Sequence, residues 1–360
     1  MLKPIILFIP VSSIEGVGEY TRSLILADEI KLHWPNADIH FVLNDKAPCF
    51  FTCPYSVHPC KNSATKDVEG VNTIIKHLKP DLVIFDASGR AKQFKQAKSI
   101  GAKIAFISQH NKKRNRGLKL NRLFNIDIHW VVQPDFCMTP LSWFQKVKLS
   151  LFQKTHPKNI GAIYSRQSTE LQQKVLKKFN LKNDGYFVFN AGSGGHNASQ
   201  FLSADIYFKA AKLFYEKTNI SCVVVFGSNY PNAIPDSFDN GSDSQFVCLS
   251  SLNNDEFIAL LINAKGRIIS AGDTILQCID LKKVSVAAAV SKDQPKRLAA
   301  CVSQGVILES GLSIQSLYNQ ALNLLDDKIT DELLHNMNAI HSLNALDVIL
   351  DDFNHLLKRK

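Results

Sequence analysis

The sequence predicts an α/β protein of two Rossmann-like domains, each a doubly wound parallel sheet, the two facing a central cleft. Three observations predict it. Short apolar runs of strand character alternate with helix-like periods along both halves of the chain, the pattern of βαβ units. A length of 360 residues is enough for two such domains with separate cores. A strand–glycine–helix element stands in mid-chain, from Phe187 to Ser199, where a second nucleotide-binding-type domain would begin.

In the first half, residues 5–9 read as a strand and 19–32 as a helix. Residues 39–43 are again strand, 68–78 helix and 82–85 strand; 94–99 are helical, and 103–107 and 128–132 are strands. Residues 150–183 are polar, lysine-rich and without a strand pattern, which puts the domain junction there. The first domain is therefore set at 1–160. The second, at 183–326, has strands at 187–189, 222–226, 246–249, 267–270, 284–288 and 306–308. A helix over 255–263 follows an Asn253 or Asn254 cap. From 327 to 360 the pattern is helical, with a basic tip of Lys358, Arg359 and Lys360.

Hydrophobic residues at 45% and charged residues at 21% describe an ordinary globular chain. No apolar run reaches the length needed to cross a bilayer. The opening Met1 to Pro10 reads as a first buried strand, because it lacks the small-residue cleavage site of a signal peptide. Of the eight cysteines, Cys222, Cys248, Cys278 and Cys301 fall in apolar surroundings and suit reduced, buried thiols in cytoplasm. Cys49, Cys53 and Cys60, with His58 between, fit no common zinc spacing; among Pro48, Pro54 and Pro59 they read as a loop with incidental thiols.

The net charge of +10 is concentrated. From Lys112 to Arg122 the chain carries six cations and no acid (Lys112, Lys113, Arg114, Arg116, Lys119, Arg122). The stretch 141–152 follows, mixing Trp143, Phe144, leucines and lysines at near-helical spacing. Basic plus amphipathic is what an anionic membrane surface recruits; a solvated loop and a helix packed on its own domain share that composition. No nucleic-acid-binding module surrounds the run.

Three loops carry the chemistry. Phe187-Val188-Phe189-Asn190-Ala191-Gly192-Ser193-Gly194-Gly195-His196 passes from a strand through small residues toward a helix from about Leu202. Unpaired backbone N–H groups and the positive end of a helix dipole converge at such a place, and glycines let a phosphate approach the main chain. An ordinary tight βα turn has the same composition. His196 suits a phosphate or sugar contact, or a local hydrogen bond. After the first strand, Gly16 and Gly18 allow close backbone approach and Glu19 opens a helix. Dipole compensation and general-base work are both open to that carboxylate. The third loop is Ser270-Ala271-Gly272-Asp273-Thr274, where Asp273 or Thr274 can cap a helix and Thr274 can equally bond a phosphate oxygen. Downstream, Asp293 and Gln294 form an acceptor pair suited to sugar hydroxyls, or a helix N-cap before Pro295.

These residues resemble those of the GT-B glycosyltransferases, in particular the branch holding the lipid II-forming N-acetylglucosaminyltransferase and the nucleotide-sugar hydrolase of pseudaminic acid synthesis. Gly16-Val17-Gly18-Glu19-Tyr20-Thr21-Arg22-Ser23 is similar to the first glycine loop, which in the hydrolase reads Gly-Leu-Gly-His followed by Arg-Ser. Ala191 to Gly195 resembles the loop opening the donor domain. Ser270 to Thr274 resembles the Ser-Ala-Gly-Gly-Ser-Thr phosphate loop, and Asp293-Gln294 the pair that holds the donor sugar. Two positions depart: the family's first-loop histidine is Glu19, and its ribose-holding glutamate falls on Cys278, beside neutral Gln277.

The resemblance implies a cytoplasmic enzyme, peripheral on the inner face of the plasma membrane. It would move a sugar from a nucleotide-sugar donor to a glycan or glycolipid acceptor of a bacterial surface polysaccharide, lipid-linked or of lipopolysaccharide type. Gly192, Ser193, Gly194, Gly195, His196, Gly272, Asp273, Thr274, Gln277, Asp293 and Gln294 would hold the donor. Gly16, Gly18, Arg22, His110, Lys112, Lys113, Arg114 and Arg116 would face the acceptor or membrane, with Glu19 as catalytic base. No Asp-x-Asp motif is present, so neither metal nor other cofactor is implied. Hydrolysis of a nucleotide-sugar, or binding without turnover, is the alternative outcome of the same architecture.

Overall fold

The computed structural model describes residues 3–11, 18–198, 200–239, 244–340 and 345–357. The chain divides into two compact units, residues 1–163 with 343–360 and residues 164–342. Unit 1 contains β1 (Ile5–Pro10), α1 (Gly18–His33), β2 (Asp38–Asn44), α2 (Cys49–Thr52), β3 (Ser56–Cys60), α3 (Val68–Leu78) and β4 (Leu82–Asp86). It continues with α4 (Ala91–Ser99), β5 (Lys103–Ser108), α5 (Asn111–Gly117), α6 (Leu120–Leu123), β6 (Ile128–Val131), α7 (Trp143–Leu151) and β7 (Lys158–Asn159). Its seven strands lie in the order β3-β2-β1-β4-β5-β6-β7 and are parallel throughout.

A parallel sheet covered on both faces needs strands that are apolar at every position, and β4 shows why. All five of its residues are buried. Leu82 and Ile84 enter the core on one face, while Val83 and Phe85 enter the core on the other, following the two-residue period of a strand. The first core is closed by the last helix of the chain, α15 (Ala345–Leu357). Phe353 stacks on Trp130 at 6.0 Å, and buried Asp352 accepts from Trp130 Nε1 at 2.9 Å and Lys158 Nζ at 2.5 Å. The helical stretch after 326 is thus shared: its first part stays with unit 2 and α15 belongs to unit 1.

Unit 2 contains α8 (Thr169–Lys178), β8 (Tyr186–Asn190), the hairpin β9 (Asn197–Ala198) and β10 (Phe201–Leu202), α9 (Ser203–Thr218) and β11 (Ser221–Val225). There follow β12 (Phe238–Asp239), β13 (Gln245–Leu249), α10 (Asn254–Asn263), β14 (Gly266–Ser270), α11 (Asp273–Asp280) and β15 (Val286–Ala288). The unit closes with α12 (Pro295–Ser303), β16 (Leu308–Glu309), α13 (Ile314–Asn323) and α14 (Asp327–Ala339). Its sheet runs β12-β13-β11-β8-β14-β15-β16, parallel except for the short edge strand β12. Asn253 caps α10 by accepting from Glu256 N at 2.8 Å, and Pro295 opens α12.

Both halves therefore have the predicted doubly wound architecture. The segment with Cys49, Cys53 and Cys60 is more ordered than its composition suggests: α2 and β3 occupy it, and β3 is the edge partner of β2. Pro59 is tolerated because an edge strand leaves one row of N–H groups unpaired. Cys49 and Cys60 are buried, as are Cys222, Cys248, Cys278 and Cys301. β7 lies within the stretch 150–183, too short to leave a pattern. No helix among the described residues is long and apolar enough to cross a membrane.

Candidate functional site

In a doubly wound sheet, ligands bind at the carboxyl ends of the strands where the winding reverses, because the loops there diverge to opposite faces. That point lies between β1 and β4 in unit 1 and between β8 and β14 in unit 2. The chain has placed its small-residue loops after β1, β8 and β14.

In unit 2, Asn190 ends β8 and ties the loop that follows. Its Oδ1 accepts from Gly192 N at 3.0 Å, and its Nδ2 donates to Val225 O at 2.8 Å and Gly192 O at 3.2 Å. Gly192 has φ of +84°, and a Cβ there would stand 3.0 Å from Ser270 Oγ of the neighbouring loop. Ser270 is buried between the two loops; a Cβ on Gly272 would lie 3.5 Å from the same oxygen and 3.6 Å from Gln294 Nε2. Gly272 is the N-cap of α11, with no side chain capping the first turn. Gly192, Ser270, Gly272 and Gln294 are thus brought together around one patch of open backbone, with Asp273 and Thr274 half-exposed at its edge.

The other glycines serve the chain itself. A Cβ on Gly194, whose φ is +86°, would collide with the Phe226 carbonyl, and one on Gly227 would collide with the Ser193 backbone. Asn229 N donates to Ser193 O at 2.8 Å, locking the two loops together. Backbone packing, not ligand approach, is what demands glycine at 194. Gly195 is exposed.

His196 is half-buried and lies close enough to Asp293 to help hold its carboxyl ionised. Burial pushes that group upward, but hydrogen bonds from Ser291 Oγ, at 2.6 Å, and from its own backbone, with Arg297 and His196, outweigh it and keep it below its ordinary value. Arg297 Nη2 pairs with Asp273 at 3.2 Å, and its Nη1 donates to Ala271 O at 3.0 Å, joining the two loops from beneath. The expected Asp-Gln pair divides: Asp293 is exposed, whereas Gln294 is buried and its Oε1 accepts from Val290 N at 2.8 Å. Gln277 is buried in α11, and Cys278 faces Arg267 and Ser285 inside the core.

In unit 1, Gly16 lies outside the described residues and Gly18 is exposed at the start of α1. Glu19 is half-buried in the first turn, near Asp86 and Lys113. Asp86 ends β4 and is fully buried; it accepts from Arg22 Nη2 at 2.6 Å, Arg22 Nε at 3.0 Å and Ser23 Oγ at 3.3 Å. Arg22 is therefore turned inward rather than offered to an acceptor. Burial raises the Asp86 carboxyl to about 6, against the pull of Arg22.

The basic run is likewise divided. His110 caps α5 by accepting from Lys113 N. Lys113 Nζ donates to Ala87 O at 2.6 Å, and Arg122 Nη2 to Gly89 O at 2.9 Å. Arg114 is buried; its Nη2 donates to Thr139 O at 2.7 Å. It lies by His129, which burial and that guanidinium push down to about 3. Lys112, Arg116 and Lys119 are exposed. Asp86, Asn190 and Arg297 are the site residues that sequence reasoning missed. Only Asp86 left a trace, as an acid terminating a fully apolar strand.

No protein-family model matches the chain, and no curated protein matches it. Its fold is shared with solved structures along their whole length. The spinosyn rhamnosyltransferase SpnG, complexed with spinosyn aglycone, is 9% identical with a TM-score of 0.64, covering 96% of this chain and 99% of that one. The glycosyltransferase VinC, in complex with dTDP, is 11% identical with a TM-score of 0.62, covering 99% and 100%. A UDP-N-acetylglucosamine 2-epimerase is 13% identical with a TM-score of 0.55, covering 100% and 98%. The chain thus has the two-domain, Rossmann-like GT-B fold on which both kinds of enzyme are built.

Two expectations follow from this geometry. Gly194→Ala adds a Cβ into the Phe226 backbone at a left-handed φ and should cost about 2 kcal/mol or more. Gly272→Ala meets nothing nearer than 3.5 Å and should melt within a few degrees of the parent; thermal denaturation of the pair distinguishes packing glycine from site glycine. For Asp86, the folded carboxyl lies above the unfolded value of about 3.9, so its contribution is full below that pH and is lost as pH rises through about 6. The stability advantage of the parent over Asp86→Asn should therefore shrink between pH 4 and pH 7, by about 1–3 kcal/mol. Urea melts at both pH values read it; an advantage that grows with pH contradicts the assignment.

Proposed function

We propose that the chain is a glycosyltransferase that takes a nucleotide-sugar on unit 2 and an acceptor hydroxyl on unit 1. The observation that carries the reading is the uncapped first turn of α11 meeting the Gly192 loop over Ser270, at the point where the winding of sheet 2 reverses. Open backbone N–H groups at a helix N-terminus suit a diphosphate. Asp293 and His196 beside it suit sugar hydroxyls. The dTDP held by VinC is in keeping with a nucleoside diphosphate ligand.

The reaction is a displacement at the anomeric carbon. The acceptor oxygen bonds to that carbon, the bond to the nucleoside diphosphate breaks, and the departing charge is met by the Gly272–Thr274 amides. The acceptor hydroxyl proton passes to Glu19, which lies in the first turn of α1 near Lys113 and the Arg22-bound Asp86. Hydrolysis uses the same parts with water as acceptor. Product analysis separates the outcomes: sugar on an acceptor supports transfer, free sugar supports hydrolysis, and intact donor leaves a binding protein. Glu19→Gln should cut turnover by about a hundredfold while donor affinity, measured calorimetrically, stays within about twofold. Near-normal turnover in this variant removes Glu19 from the base role.

We further propose that the acceptor is lipid-linked and that unit 1 docks on an anionic membrane. On α7, Trp143, Phe144, Val147 and Leu151 are exposed, at 68%, 77%, 43% and 72%, and only Leu149 is buried. Leu120, Phe124 and Phe152 add to this exposed apolar set, and Phe124 packs edge-on against Phe152. Lys146 is exposed on α7 itself, Lys119 is the exposed N-cap of α6, and exposed Lys112 lies on α5. Apolar anchors with cations beside them match an interface with acidic headgroups. Binding to vesicles containing phosphatidylglycerol should weaken about tenfold or more in a Trp143→Ser, Phe144→Ser double variant and fall with added salt. Sedimentation that ignores both changes contradicts the docking.

A further inference from the structure

A second cluster in unit 1 has no part in the fold's own charge pairing. The loop after β4 turns through Ala87 at φ of +53° and Gly89 at φ of +90°. The left-handed φ is uncommon for Ala87, and position 89 demands glycine, because a side chain there would collide with Phe94 and Phe85. Three cations are aimed by main-chain carbonyls around it. Lys113 Nζ donates to Ala87 O at 2.6 Å, Arg122 Nη2 to Gly89 O at 2.9 Å, and Arg90 Nε to Thr65 O at 3.2 Å. Arg122 also lies over the Phe94 ring, 5.6 Å from its centre. Arg116 stands exposed among them, and its guanidinium has no hydrogen-bond or ion-pair partner among the described residues.

A carbonyl orients a cation without neutralising it, so the cluster keeps its charge. Burial lowers Lys113 and Arg122, and the neighbouring cations lower them further: Arg116 and Arg122 act on Lys113, Arg116 and Arg90 on Arg122. The acids facing Lys113 are Glu19 and Asp86, and the charge of Asp86 is taken up by Arg22. Lys113, Arg116, Arg122 and Arg90 thus act on one another in sequence, and among the described residues the acid that acts on this set besides the Arg22-bound Asp86 is Glu19, through Lys113. An anion would satisfy the remaining N–H donors of such a half-desolvated, mutually repelling group, and charge-assisted hydrogen bonds of that kind are the strong ones. The loop lies at the carboxyl end of β4, beside the reversal of winding in sheet 1.

We infer that Arg90, Lys113, Arg116 and Arg122 form a subsite for a phosphate or carboxylate group carried by the acceptor. The inference rests on the transfer reading only for the word acceptor; the anion site stands on its own geometry. It makes the acceptor an acidic glycan or a sugar phosphate rather than a neutral one.

The test uses the full chain. Inorganic phosphate and glucuronate serve as probes, titrated calorimetrically into the parent, Arg116→Ala, Arg116→Glu and Gly272→Val. Gly272→Val, directed at the donor loop of unit 2, removes phosphate binding there and isolates the unit 1 event. Arg116 is exposed, so its replacement leaves folding intact, and matching circular dichroism checks this. The expected result is a phosphate affinity in unit 1 about tenfold weaker in Arg116→Ala and lower again in Arg116→Glu. Preference of the parent for phosphate or for glucuronate identifies which anion the subsite takes. Unchanged binding of both probes in Arg116→Glu overturns the proposal, as does the absence of any binding beyond that removed by Gly272→Val. Failure of the transfer reading looks different: no sugar is moved to any acceptor, while the probes still respond to Arg116.

Discussion

Everything in this molecule that resembles a site follows from one constraint. A parallel sheet buried on both faces must send each strand's exit to one face or the other, and where the winding reverses two neighbouring exits part. β1 parts from β4 in one unit and β8 from β14 in the other. The backbone groups left at the parting are the ones no strand or helix satisfies, so side chains must complete them or a ligand must. Asn190 completes part of one, through Gly192 and Val225; Asp86, with Arg22 and Ser23, fills the other. What these residues leave open is the backbone around Gly192 and Gly272, and the loop 87–90 with its cations.

The chain treats buried charge in three distinct ways. Asp86 is matched by a bidentate guanidinium. Asp352 receives an indole N–H and a lysine, and so ties α15 to a strand more than two hundred positions earlier. Arg267 makes no ion pair among the described residues, although Asp184 acts on it through space: its guanidinium donates to the carbonyls of Leu261, Ile262, Ala264, Lys265 and Val284, at the end of α10 and the start of β14. Such a carbonyl cage surrounds the charge with hydrogen-bond acceptors instead of an ion-pair partner. Lys113 and Arg122 use the same device at the surface, half-open, and for that reason retain the capacity to bind.

Periodicity made the architecture legible. Strands such as β4 and β8 are apolar at every position, and α10 and α12 announce their starts with Asn253 and Pro295. The loops after β1, β8 and β14 were legible as loops. Their internal roles were not, because composition does not separate a glycine that admits a ligand from one that admits the chain's own backbone. Gly194 and Gly272 read alike; only the Phe226 carbonyl distinguishes them. The basic run divides for a related reason. Six cations between positions 112 and 122 look like one surface, yet whether Lys113, Arg114 and Arg122 turn inward depends on Ala87, Thr139 and Gly89, which lie 25 to 33 positions away. β3 was missed because proline argues against a strand except at an edge, and edges are not visible until the order of the sheet is known.

The burial of Cys278 bears on how a nucleotide can be read. Resemblance alone would put a ribose-holding carboxylate at that position, but there it would point into the core at Arg267 and Ser285, away from the loop. Gln277, one step earlier, is also buried. α11 therefore presents only its first turn, Gly272 to Thr274, to the open backbone patch, and on the proposed reading such a turn would recognise charge and shape rather than the identity of a base. Discrimination within unit 2 then falls to polar groups on other loops that open at the same carboxyl edge. Asp293 meets the requirement: its carboxylate is exposed, kept ionised by Ser291, Arg297 and His196, and carried on the loop after β15, next to β14 in the sheet. On the transfer reading proposed above, unit 2 would therefore specify the sugar end of a donor better than its nucleoside end.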